Sequence, residues 1–330
     1  MKIFRHLIFL IICTLLVIPF EDKIYAMNIT QGEEVRVVRI DVKAHGPMLN
    51  DSLNYDYEVL AQNEVLYLLN CVKSFELVDD GKTIRVNDAS VYEVRFYKDD
   101  GSFYKFEYEF GRIFDNDGKE YGLKGSFGRF LTAINALKTQ KLTITDDDVN
   151  TQPSKWAESE INIGIDKELV PKWNQIGYVS KINRLEVCQL INNFLTHKGI
   201  EIAKAEDYSF EDTYDIAVKN SYLLGLIDGK SETEFAPYDY ITREEFAKIL
   251  SRTYSYLNND SIESRDLNYI DRDRISEYAV DDVKKVTQLG LMHGNENGEF
   301  EPQNNITKEE VIVTLLRLSE IASVDGIIAQ

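Results

Sequence analysis

Apolar residues follow two regimes along this chain. In the first half they alternate with charged ones: "EEVRVVRIDV" (33–42) and "VYEVRFYKDDGSFYKFEYEF" (91–110) carry the period-two pattern of half-buried strands. In the second stretch Asp99-Asp100-Gly101 predicts a hairpin turn, with Tyr104, Phe106, Tyr108 and Phe110 on one face and Lys105, Glu107 and Glu109 on the other. Asp115-Asn116-Asp117-Gly118 predicts a further turn, since its acids lack the spacing of an EF-hand calcium loop. Two helical stripes flank the strands: Val65, Leu68, Leu69, Val72, and, after a Ser126 cap, Phe127, Phe130, Leu131, Ile134, Leu137. The pattern predicts a small α+β domain over residues 27–145, its aromatic row forming core rather than a sugar platform.

From residue 153 the period becomes helical. "INRLEVCQLI" from Ile182, "ITREEFAKIL" from Ile241 and "ITKEEVIVTL" from Ile306 open alike. Each pairs a capping residue with a glutamate three places on: Asn183 with Glu186, Thr242 with Glu245, Thr307 with Glu310. Apolar residues then recur at helical spacing, as in Val187, Leu190, Ile191 and Phe194. Each stretch also puts a cation on the first turn (Arg184, Arg243, Lys308), where the positive end of the helix dipole prefers an acid. Three such boxes with one unfavourable cation in common indicate an internal repeat.

Upstream of the boxes, "LLGLIDGKSETEFAPYDYITREE" (223–245) and "QLGLMHGNENGEFEPQNNITKEE" (288–310) align without a gap. They share Gly225 and Gly290, Gly229 and Gly294, Phe235 and Phe300, Pro237 and Pro302: a compact loop closing one helix and leading into the next. Helical patterns precede it, with Val218, Ser221 and Leu224 beside Val283, Val286 and Leu289. The first copy is worn. It keeps Trp156, Ala157, Ile161 and Leu169, has Glu168 where the others have glycine, and its loop is two residues shorter. Repeats are expected at about 153–200, 207–257 and 267–322, with 146–152 as the linker.

These units resemble S-layer homology (SLH) domains. The resemblance implies an all-α pseudo-threefold helical bundle behind the α+β domain, with ligand grooves between its lobes. It also implies an exported protein of a Gram-positive-type bacterium, held non-covalently on a secondary cell-wall polysaccharide that often bears a pyruvate ketal. The family's Thr-Arg-Ala-Glu arginine falls on Arg184 and Arg243, with Lys308 in the third copy, and is implied to meet the polymer's carboxylate. The loop glycine falls on Gly229 and Gly294, and the tryptophan position on Trp156, Thr213 and Tyr278. The aromatic-x-Asp falls on Phe210-Glu211-Asp212 and Tyr269-Ile270-Asp271; the first copy lacks it. Physically, an arginine beside the unpaired N–H groups of a helix start offers an anion a two-pronged fork. That placement costs the free helix a few tenths of a kcal/mol, roughly. Lysine offers only a point charge, so the Lys308 site is expected to be weaker. The competing reading pairs these cations with nearby acids.

Composition narrows the function. The formal net charge is -19, one more negative once residues 1–26 are removed with their three bases and two acids. Such a surface repels nucleic acid and anionic lipid. Residues 1–26 read as a cleaved signal peptide, with Lys2 and Arg5 ahead of a short apolar run ending at Phe20, and no integral membrane segment is expected after cleavage. Cys71 and Cys188 are expected to be buried free thiols. The 4 histidines show no metal spacing, and no nucleophile elbow, phosphate loop or cofactor motif occurs. The expectation is a non-catalytic surface protein whose oligomeric state the sequence does not specify. The alternatives are a secreted protein whose worn repeats form a scaffold for protein contacts, and an enzyme housed in 27–145.

Overall fold

The computed structural model describes residues 17–19, 37–45, 55–72, 75–80, 91–109, 111–125, 127–200, 210–213, 215–258 and 266–322. The chain divides into two compact units, residues 1–134 and 135–330.

The first unit is sheet-rich. Its strands are β1 (Val17–Pro19), β2 (Val37–His45), β3 (Tyr55–Val59), β4 (Phe75–Val78), β5 (Val91–Lys98), β6 (Phe103–Glu109), β7 (Arg112–Phe114) and β8 (Glu120–Gly125). They form one antiparallel sheet in the order β1-β4-β8-β7-β6-β5-β2-β3. The alternating stretch 91–110 becomes β5 and β6, joined at Asp99-Asp100-Gly101. Lys98 N–H donates to the Ser102 carbonyl at 2.9 Å, and Gly101 adopts φ +82°. The register sets Phe96 opposite Tyr104 and Val94 opposite Phe106, so these side chains share a face. Helix α1 (Gln62–Cys71) buries Val65 and Leu68, and α2 (Gly128–Lys138) covers the aromatic row. The Phe106 ring lies 5.6 Å from Phe127 and 6.5 Å from Phe130, which makes the row interior. Phe110 and Ser126 lie outside the described residues. At the second predicted turn Asp115 Oδ1 accepts the N–H groups of Asp117 and Lys119 at 3.1 and 3.0 Å. Val17–Pro19, inside the segment expected to be a signal, pairs with β4, so its removal would leave β4 as a sheet edge.

The second unit is helical. It contains α3 (Asp146–Val149), α4 (Glu158–Asp166), α5 (Arg184–His197), α6 (Ile216–Leu223), α7 (Arg243–Asn258), α8 (Val280–Gln288) and α9 (Lys308–Ile321). Each repeat contributes a short helix (α4, α6, α8) and a long one (α5, α7, α9). The short helix packs on the long helix of the preceding repeat: α6 on α5, α8 on α7, and α4 on α9. At the long-helix entries, Ile241 N–H donates to Ile182 O at 3.2 Å, Ile306 to Ile241 at 3.0 Å, and Ile182 to Ile306 at 3.0 Å. The three bonds close a ring, and the apolar faces behind it form one continuous core including Phe194, Phe235, Phe246 and Phe300. The segment expected as the linker contains the short helix α3. Thr145 and Asp148 form a capping box on α3, and the Asn150 carbonyl accepts Gly177 N–H at 2.6 Å. Cys71 and Cys188 are both buried. Among the described residues no helix is long and apolar enough to cross a membrane.

Candidate binding grooves of the helical repeats

The first-turn cations do not stand open at their own helices; each reaches into the loop of the next repeat. Arg184 Nε donates to Phe235 O at 2.9 Å, and its Nη2 donates to Asp228 O. Arg243 Nε donates to Phe300 O at 2.8 Å and Nη2 to His293 O at 2.9 Å, while Nη1 meets Glu310 at 2.6 Å. Lys308 closes the circuit on the first repeat, donating to Ile176 O at 2.9 Å and pairing with Glu186 at 2.7 Å. Glu186 and Glu310 are also the capping-box acids of their helices, so each balances the preceding repeat's cation. Glu245 acts likewise on Arg184. Burial lowers that guanidinium's pKa, and Glu245, Asp239 and Asp228 oppose the shift. The dipole cost expected from sequence is therefore offset within the fold by charged hydrogen bonds worth about 1.5–3 kcal/mol each.

Asp212 and Asp271 brace the same loops. Asp212 accepts Phe235 N–H at 3.0 Å and Ala236 N–H at 2.7 Å; Asp271 accepts Phe300 and Glu301 N–H, both at 2.8 Å. Ala236 (φ +57°) and Glu301 (φ +56°) are thereby held in the left-handed region. The glycine requirement has a steric cause. A Cβ on Gly229 would come 2.5 Å from the Phe210 ring, and one on Gly294 2.7 Å from the Tyr269 ring. Lacking the aromatic-x-Asp, the first repeat uses Gly177 at the left-handed position (φ +66°) and the Asn150 carbonyl as acceptor.

Around this framework the predicted site residues separate into three unequal places. Trp156, 54% exposed, Arg243, His293, Glu310, Thr314 and Arg317 line a cleft of about 150 Å³. Arg317 is loosely held there, 3.9 Å from Glu160 and 3.4 Å from Leu291 O. At the second place Tyr278 is 52% exposed and donates its O–H to Glu244 at 2.9 Å; burial and then Glu244 push its phenol pKa up. Lys248 lies 5.4 Å from the Tyr278 ring centroid, and both Lys248 and Arg252 contact Asp228. At the third, Thr213 and Lys308 are buried, and the helix positions matching Lys248 and Arg252 carry Gln189 and Asn193. Gln189 bonds Asp215 and Asn193 bonds Glu168 O. Sequence reasoning missed Arg317 and Arg252. Their signal was in the repeat register, since each lies nine residues after its first-turn cation.

The chain carries S-layer homology repeats: residues 210–247 and 269–312 match the family model of the S-layer homology domain. The match covers the second and third copies. Over 125 residues, 36% of this chain, it is 42% identical to an endoglucanase of Bacillus sp. (strain KSM-635). Over 116 residues, 33% of the chain, it is 30% identical to cell surface glycoprotein 1 of Acetivibrio thermocellus. These stretches span 13% and 5% of the relatives' own lengths. SLH domains are binding modules that anchor bacterial cell-surface proteins to cell-wall polysaccharide, which associates this chain with the cell surface or wall.

Proposed function

We propose that this protein is exported through a cleaved signal at residues 1–26 and held non-covalently on an acidic, pyruvylated secondary wall polysaccharide. In this reading it is non-catalytic, its three repeats form a pseudo-threefold bundle, and residues 27–145 are the displayed domain. The ring of bonds among Ile182, Ile241 and Ile306 supports the threefold arrangement. The main binding groove is the Trp156 cleft. An exposed indole gives a sugar ring an apolar face, while Arg317, paired at 3.9 Å, is the cation there with least to give up when a carboxylate arrives. That pairing of an exposed indole with a loosely held guanidinium carries the proposal. Arg243 supplies its remaining N–H donors and fixes the groove wall. Arg184, Lys308, Asp212, Asp271, Gly229 and Gly294 shape the loops that a ligand meets, and Tyr278 is the aromatic of a second groove.

The test is co-sedimentation of the mature chain with purified sacculi, before and after chemical removal of the polysaccharide. Arg317→Gln should weaken binding roughly tenfold to a hundredfold, the worth of a charged hydrogen bond. Trp156→Ala should weaken it comparably, with the melting temperature of both variants kept near the parent's. Retention of full binding by both variants, or by stripped sacculi, would refute the groove assignment. The scaffold alternative is favoured at the third place alone, where Thr213 and Lys308 are buried and present neither aromatic face nor open cation.

A further inference from the structure

We propose that Asp228 is a built-in plug: its carboxylate occupies the cationic site of the Tyr278 groove and keeps that groove closed to an acidic saccharide, leaving the Trp156 cleft as the open site. The inference rests on the reading that these grooves take a carboxylate-bearing sugar.

The two grooves share a plan and differ at two charged positions, Lys248 against Val313 and Asp228 against His293. Tyr278 stands to Arg184, Lys248 and Arg252 as Trp156 stands to Arg243, Val313 and Arg317, the Lys248 and Arg252 positions being displaced by 65 residues and that of Arg184 by 59. The loop residue facing these cations is Asp228 in one groove and His293 in the other. Both are fixed by the same device, a first-turn arginine donating to their own backbone carbonyl. At Asp228 the side chain then turns onto the helix cations. Oδ2 lies 3.3 Å from Lys248 Nζ and 3.0 Å from Arg252 Nη1, and the same Lys248 ammonium lies 5.4 Å from the Tyr278 ring centroid. One carboxylate oxygen therefore holds both cations beside the exposed aromatic, where the carboxylate of a bound sugar would have to sit. At His293 there is no carboxylate, and Arg317 has only the long contacts to Glu160 at 3.9 Å and the Leu291 carbonyl at 3.4 Å among those described.

Exposed ion pairs contribute little to stability, and Asp228 is 63% exposed. Competition for a ligand is a different matter. A tethered carboxylate is present at an effective concentration of about millimolar or more, which a weakly binding saccharide must exceed. The plug thus suppresses binding without needing to stabilise the fold.

The probe is a methyl hexoside bearing a pyruvate ketal, titrated calorimetrically into the full-length mature chain. The parent should bind one equivalent and Asp228→Asn two, the second at least tenfold tighter than any residual second binding in the parent. Trp156→Ala combined with Asp228→Asn should keep one. His293→Asp, which places a carboxylate beside Arg317, should lose the parent's site. Two equivalents in the parent, or one in both parent and Asp228→Asn, overturns the plug. No binding by either overturns the groove reading and the plug with it. Binding by Asp228→Asn alone upholds the plug while sinking the Trp156 cleft. Because Asp228 is exposed, its variants should melt with the parent, and Asp228→Ala should repeat the result.

Discussion

In the second and third repeats an aspartate side chain, Asp212 or Asp271, accepts two backbone N–H groups of the Phe-x-Pro loop. In the first repeat one backbone carbonyl, that of Asn150, does the corresponding work on Gly177. The cations differ in parallel. Arg243 makes a three-way fork at an intermediate depth, whereas Lys308 is a point charge whose side chain is 3% exposed, against a Glu186 side chain 5% exposed. One loop geometry is thus reached by two chemistries. The worn repeat survives because the ring needs an acceptor and a cation at fixed places, not particular side chains.

The largest effect should come from the junction that closes the ring. Lys308→Met leaves Glu186 buried without its counter-ion, and breaking a buried pair from one side costs about 3–5 kcal/mol. Arg243→Met leaves Glu310, whose side chain is 31% exposed and can rehydrate, so its loss should be nearer 1–2 kcal/mol, roughly one charged hydrogen bond. Trp156 and Trp173 both lie in the first repeat, so urea unfolding followed by tryptophan fluorescence reports the affected unit. Equal losses in the two variants would erase the distinction between the junctions.

Next in size is the brace. Asp271→Ala strands two N–H groups of a buried loop and should cost about 3 kcal/mol, with Asp271→Asn recovering part because one acceptor oxygen remains. Asn150→Ala should cost under about 0.5 kcal/mol, since the acceptor there is a backbone carbonyl that survives the substitution. A large loss in Asn150→Ala would mean that its side chain, which accepts Gln152 N–H at 2.9 Å, is the real brace.

Alkaline pH should separate the repeats too. Burial pushes both the Cys188 thiol and the Tyr178 phenol up to about 12. Both groups are neutral when protonated and ionise more readily in the unfolded chain, so their contribution is intact below about pH 8.5, the ordinary thiol value, and is lost as pH rises toward 12. The matching positions are Ala247 and Ile312, and Pro237 and Pro302, none of which titrates. Cys188→Ala should flatten the fall in stability measured between pH 8 and pH 11. An unchanged slope would exclude the thiol.

What the sequence revealed follows from where each signal is stored. Capping boxes, the hairpin turn at Asp99-Asp100-Gly101 and the aromatic row are local side-chain patterns, and each was legible. The destination of the first-turn cations was not, because their acceptors are backbone carbonyls: Arg184 meets Phe235, 51 residues away, and Lys308 meets Ile176, 132 away. A carbonyl carries no residue signature. The bond that Asn150 makes from the linker was not legible for the same reason, since Asn150 acts there through its main chain. Asp212 and Asp271 were visible as motif members, but their role as loop braces lies in contacts to backbone N–H groups 23 to 30 residues away. Arg317 lay in plain register with Arg252 and was overlooked because it falls beyond the capping motif.

The smallest expected effect is the sharpest test of the comparison. At the end of the short helix the second and third repeats use Gly225 (φ +68°) and Gly290 (φ +69°), while the first holds Glu168 at φ +58°. Glu168 N–H bonds Ile165 O at 2.9 Å and Leu169 N–H bonds Gly164 O at 2.8 Å, the paired bonds of a Schellman cap. A side chain in this conformation costs roughly 1–2 kcal/mol. Glycine removes that strain but gives back part of it through its greater freedom in the unfolded chain, about 0.5–1 kcal/mol. Glu168→Gly should therefore stabilise the first repeat by about 0.5–1 kcal/mol. The Glu168 carbonyl that accepts Asn193 Nδ2 at 2.8 Å belongs to the main chain and is untouched. Gly225→Ala and Gly290→Ala should destabilise by a similar amount, for strain alone, as a Cβ at either meets nothing within 4 Å. If Glu168→Gly lowers the urea midpoint instead, the glutamate side chain makes a compensating contact in the first repeat, and the wear in that copy is an adaptation rather than a tolerated loss.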